Sequence, residues 1–151
     1  MKILVDADSC PKAARELVLR RAAKLKIKTI FAANRPIPTA DGCADVEMEI
    51  CTQNENSADD RIVELAEPGD LVISRDIPLA KRLVEKSITV IDDRGRVFTR
   101  ENINEALSMR NFMVGLAENG MGMERKKNYG KKELKTFADS LDRLLARHGK
   151  T

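Results

Sequence analysis

Short apolar runs that give way to acids, set between stretches of helical periodicity, constrain this chain more than any other feature. Ile3-Leu4-Val5, Leu71 to Ser74 and Ile88 to Ile91 are too short for helices and too evenly apolar for strands with one wet face. They read as strands buried on both sides. Buried strands that alternate with helices form a mainly parallel sheet joined by right-handed crossovers. The expected fold class is therefore α/β, a three-layer α/β/α sandwich with a mainly parallel central sheet, in one domain over residues 1–151.

The connecting stretches support this reading. Pro11 suits the first turn of a helix, and Ala14, Leu17, Val18, Ala22 and Leu25 recur at helical spacing through Lys26. Ile27 to Ala33 reads as a second strand, stopped by the turn cluster from Asn34 to Pro38, and Asp45 to Cys51 as an edge strand whose Glu47 and Glu49 face water. Ser57 is placed to cap a helix to Glu67, Pro78 opens one that runs through Lys86, and Arg96 to Thr99 makes a short extra strand. Thr99 is placed to cap a helix through about Leu116, and an amphipathic helix spans about 131–147, able to pack on the sheet or on a second copy in a homo-oligomer.

Acids stand where such a sheet does its chemistry. In an open parallel sheet, ligands bind beyond the carboxyl ends of the strands. Asp6 and Asp8 follow the first run, Asp76 follows Leu71 to Ser74, and Asp92 follows Ile91. On the Ser57 helix, Asp59 borders the apolar face of Ala58, Ile62, Leu65 and Ala66, while Asp60 points nearly opposite. Two like charges about 4 Å apart repel by roughly 1 kcal/mol in water and about 4 kcal/mol at an effective dielectric near 20. Gathered carboxylates therefore want a cation. With oxygen ligands only, that cation is magnesium or manganese, and the acids that converge to hold it are Asp6, Asp8, Asp76 and Asp92, with Asp59 the better inward candidate of the helical pair. Such a site can activate water, clamp a phosphodiester and stabilise the leaving oxygen. Several of these acids also have a local alternative: Asp8 or Ser9 as the cap of the first helix, Asp60 as the third residue after a Ser57 cap, Asp76 as the cap of the Pro78 helix, and Asp92 with Asp93 as a turn before Arg94-Gly95.

Charge distribution points to the substrate class. The net charge is only +3, but Lys12 to Lys28 carries seven basic residues and one acid, Asp41 to Asp60 seven acids and no base, and Gly120 to Thr151 nine bases against four acids. An acidic segment between basic ones fits a metal-holding pocket flanked by phosphate-attracting surface, with Lys12, Arg75, Arg94, Lys126 and Lys127 as candidate phosphate contacts. The absence of Trp and the low aromatic content argue against a pure single-strand binder. Cys10, Cys43 and Cys51 lack metal-site spacing, and the one histidine is His148, so neither structural zinc nor a disulfide framework is expected. Cys10 lacks the arginine that a Cys-x5-Arg phosphatase loop needs, since Glu16 holds that position. No run is long enough to span a membrane and no signal peptide is apparent, so a soluble cytoplasmic protein is expected.

Several stretches taken in order carry a family likeness: Val5-Asp-Ala-Asp-Ser-Cys-Pro11, Ala58-Asp-Asp60, Glu67-Pro-Gly-Asp-Leu-Val-Ile73, Asp76-Ile-Pro-Leu-Ala80, Arg94-Gly95, Glu101-Asn-Ile103, Met109-Arg-Asn-Phe112 and Phe137-Ala-Asp-Ser-Leu-Asp-Arg143. Together they resemble the uncharacterised bacterial YaiI/YqxD family, grouped with PIN-like nuclease domains. The resemblance implies Asp6 as the first acid, Asp59 or Asp60 as the helical one and Asp76 as the later one, coordinating magnesium or manganese for cleavage of nucleic acid, RNA favoured. Met121 to Gly130 departs from the family's Gly-Gly-Pro-containing loop. Two other functions compete. In a haloacid-dehalogenase-like phosphatase Asp6 would be the nucleophile and Asp8 the acid/base. In a non-catalytic RNA-associated or regulatory domain the acids would serve structure alone.

Overall fold

The computed structural model describes residues 1–33, 46–50, 57–120 and 129–148. Its centre is β1 (Lys2–Asp6), where Ile3, Leu4 and Val5 are fully buried because both faces of the strand are covered. The chain continues through α1 (Lys12–Leu25), β2 (Lys28–Ala33), β3 (Val46–Ile50), α2 (Ser57–Leu65), β4 (Leu71–Ile73), α3 (Ile77–Glu85), β5 (Thr89–Ile91), β6 (Val97–Phe98), α4 (Ile103–Glu118) and α5 (Lys131–His148). The sheet has six strands in the order β3-β2-β1-β4-β5-β6. All neighbours are parallel except β5 and β6, so the mainly parallel sheet is as expected.

Alternate side chains along each strand serve opposite layers. Ile3, Val5, Phe31, Leu71, Ile73 and Ile91 face α1 and α5, packing with Val18, Phe137 and Leu141. Leu4, Ile30, Val72 and Val90 face α2, α3 and α4, packing with Ile62, Leu83 and Ile103. The α5 helix thus spends its apolar face on the sheet, where truncating a residue such as Phe137 would cost about 3–5 kcal/mol. Element ends shift slightly from expectation. The α4 helix starts at Ile103 because Thr99 and Asn102 exchange hydrogen bonds in the preceding turn, Thr99 N to Asn102 Oδ1 at 2.9 Å and Asn102 N to Thr99 Oγ1 at 3.2 Å. The expected turn at 34–38, and Cys43 and Cys51, lie outside the described residues. No helix among the described residues is long and apolar enough to cross a membrane.

At the amino edge of the sheet, Asp70 ties β1 to β4. Its carboxylate accepts from Lys2 N at 3.1 Å, Lys2 Nζ at 2.6 Å and Glu67 N at 2.9 Å. Burial by itself would raise the Asp70 pKa, but these donors hold it below the ordinary value. Its contribution to stability is therefore complete above the unfolded pKa near 4 and lost as pH falls through the folded pKa. Asp70→Asn should cost about 1–3 kcal/mol at pH 7 by urea unfolding, with the difference from the parent closing as pH falls through the folded pKa.

Candidate active site

The strand order creates a crevice. From β1 the chain crosses through α1 on one face to β2, whereas from β4 it crosses through α3 on the other face to β5. Connections that diverge from adjacent parallel strands leave an opening at their carboxyl ends. Asp6 ends β1 and Ser74-Arg75-Asp76 follows β4, so these residues meet there. The resulting cleft, about 350 Å³, is lined by Asp6, Ser9, Arg75, Asp76, Ile77 and Arg110.

Hydroxyl groups fix the acids. Asp6 is 7% exposed, and its Oδ2 accepts from Ser9 Oγ and Ser74 Oγ, each at 3.0 Å. Ser74 Oγ in turn accepts from Asp76 N at 3.0 Å, which locks the two strand ends together. Asp76 caps α3, its Oδ1 accepting from Leu79 N at 3.1 Å. The local alternative for Asp76 is thus real and engages one carboxylate oxygen. Asp59, in the first turn of α2, lies close enough to Asp76 and Asp6 for their charges to act on its carboxyl.

Crowding shows in the proton affinities. Burial raises the Asp6 pKa; Ser9 and Ser74 pull it back, and Asp76 and Asp8 push it up again. Burial, then the charges of Asp76 and Asp6, raise Asp59 to about 7. An acid whose folded pKa is raised destabilises the fold once it ionises, so in metal-free buffer this contribution worsens from about pH 4 to pH 7. Asp59→Asn should therefore stabilise the protein at pH 8 and not at pH 4. Screening by water and Arg82 holds the gain to about 1–2 kcal/mol, readable by thermal unfolding at both pH values.

The other residues expected at the site are placed as follows. Asp8 is exposed beside Asp6. Asp60 points to α3 and pairs with Arg82 at 2.9 Å. Asp92 Oδ1 accepts from Arg94 N at 2.9 Å and Arg96 N at 2.8 Å, shaping the turn into β6, while its neighbour Asp93 is the buried one of the pair. Arg75 lines the cleft, Arg94 approaches Glu133 on α5 at 3.7 Å, and Lys12 lies 4.0 Å from Glu16. Lys126 and Lys127 lie outside the described residues. Sequence reasoning missed Arg110, Ser9 and Asp93. Arg110 left a usable signal, since it is the only charged residue of α4 between Glu105 and Glu118.

The side chains gathered at the cleft are oxygen donors. Asp6, Asp59 and Asp76 offer oxygens, whereas the buried Cys10 has its thiol pushed up to about 12 by burial, then by Asp93. A thiol so held is a packed group and no nucleophile at neutral pH. Among the described residues no group of three or more acid, histidine or cysteine side chains is placed to hold a metal ion.

Comparison with known proteins adds kinship. The family described as "Uncharacterized BCR, YaiI/YqxD family" matches residues 4–147. A UPF0178 protein of Treponema denticola is 50% identical over 147 residues, covering 97% of this chain and 93% of that protein. One of Treponema pallidum is 48% identical over 97% of this chain and 82% of that protein, and one of Pseudomonas aeruginosa 42% identical over 97% and 91%. No solved structure matches the chain.

Proposed function

This chain belongs to the YaiI/YqxD family, and we propose that it is a cytoplasmic PIN-like nuclease that uses magnesium or manganese to hydrolyse phosphodiester bonds, with RNA the favoured substrate. The observation that carries this reading is the meeting of Asp6, Asp59 and Asp76 at the crevice between β1 and β4, with Arg75 at its rim. Asp6 and Asp76 would hold the ion, and Asp59 would complete the site or orient the attacking water. A divalent ion there supplies positive charge to the phosphoryl oxygens and acidifies water. Ser9 and Ser74 keep the Asp6 carboxylate in one orientation, and the α3 cap does the same for Asp76. The phosphatase reading fits less well. The α1 helix opens at Lys12, which leaves no room after Asp6 for the helical turn and hairpin that such enzymes carry.

Calorimetric titration of manganese and magnesium into metal-free protein tests the site without a guess at substrate. One binding event, lost in both Asp6→Asn and Asp76→Asn, is the expected result. Asparagine still caps helices well, so Asp76→Asn should fold. No binding by the parent, with both variants at least as stable, would return the acids to a structural role and favour a non-catalytic RNA-associated domain.

A further inference from the structure

Two arginines rim the acidic cleft without neutralising it. Arg75 stands in the loop after β4, and Arg110 reaches in from α4. Arg21, Arg61, Arg82 and Arg94 each lie within 4.0 Å of a carboxylate. Arg75 and Arg110 form no ion pair within that distance among the described residues, although both share the cleft with Asp6 and Asp76. Among the described residues Arg110 donates only to the neutral Asn111 Oδ1, at 3.1 Å.

A guanidinium whose task was to quiet the acids would pair with them, because arginine and carboxylate match as forks. Arg75 lies near enough to the buried Asp93 for its charge to offset part of that acid's burial, but the two form no ion pair within 4.0 Å. Arg110, for its part, sits on a stretch of α4 otherwise free of charge from Ser108 to Ala117. The acids are thus left for a cation and the guanidinium groups for an anion.

We propose that Arg110 and Arg75 form a two-sided clamp for the phosphates of an RNA strand lying across the cleft, a role that rests on the nuclease reading for its ligand. Arg75 grips from the β4 side and Arg110 from the α4 side, so a phosphodiester bridging them lies over Asp6 and Asp76. Arginine suits this task because its planar fork meets two phosphate oxygens at once.

The test measures binding of a short labelled single-stranded RNA in EDTA, which prevents metal-dependent cleavage, over a range of salt concentrations. Arg110→Gln should weaken binding roughly tenfold and lower the slope of log affinity against log salt by about 0.7. The double variant with Arg75→Gln should lower it by about 1.4, and Arg110→Lys should restore the slope but only part of the affinity. Manganese binding measured on the same variants should persist. An unchanged affinity and slope in folded Arg110→Gln would overturn the clamp while leaving the nuclease reading intact. Loss of slope in a protein that binds no manganese would uphold the clamp and overturn the nuclease reading. A parent protein that binds no RNA would overturn the clamp whatever the metal result.

Discussion

Asp6→Asn is expected to remove manganese-dependent cleavage of RNA, by roughly 10²–10⁴-fold, while the protein stays folded and gains stability. The two effects have one cause. Asp6 is a buried carboxylate held among other acids, so its charge costs folding free energy, and on the proposed reading a bound cation would offset that cost. Asparagine keeps the shape and can still accept from Ser9 and Ser74, whose hydroxyls rotate to suit. Losing the charge should stabilise the metal-free protein by about 1 kcal/mol at pH 8. Asp142→Asn is the control, since Asp142 pairs with Arg21 on the surface of α5 and should alter neither quantity by much. Cleavage that survives in Asp6→Asn would remove the acid cluster from the chemistry.

Gly95→Ala should be the most damaging single-methyl change among the described glycines. Gly95 lies in the turn between β5 and β6 with φ +89°, and a Cβ there would stand 2.6 Å from the Thr136 backbone oxygen and 2.8 Å from Ser140 Oγ on α5. The same Ser140 hydroxyl donates to Gly95 O at 2.7 Å, so the turn and the helix cannot separate without breaking that bond. Positive φ costs a non-glycine residue about 1–2 kcal/mol, and forcing an atom into a packed contact about 1–3 more. The expected loss is about 2–5 kcal/mol, or roughly 5–15 °C in Tm for a chain of this size. Gly69→Ala separates the two terms. Gly69 has φ +97° but open space around its Cβ position, so it should lose only about 1–2 kcal/mol. Equal losses at both positions would mean that α5 does not press on the turn.

The acids were legible from sequence because they immediately follow apolar runs, and a strand that ends in aspartate announces itself locally. Asp59 over Asp60 was legible too, from helical periodicity alone, and Asp60 does turn outward to Arg82. Asp92 and Asp93 were not separable. Adjacent residues at a strand end differ only in which side the chain turns, and here the turn takes the Asp92 carboxylate for its own N–H groups while Asp93 goes inside. Arg110 stood out in the sequence only as the lone charge in the middle of α4, and nothing local says that this point on the helix reaches across to a loop after β4.

By itself the sequence determined the elements, the α/β class and the buried faces of α1, α2, α3 and α5, since these follow from periodicities of two and 3.6 residues that neighbours along the chain impose on each other. Only the tertiary structure decided which strand ends adjoin. Ser74 reaches Asp6 across 68 residues of chain because β4, and not another apolar run of similar composition, packs beside β1. Burial rewards any apolar strand placed at the centre of the sheet almost equally. The choice among them belongs to crossover direction and to how the helices fill both faces, which are properties of the whole fold.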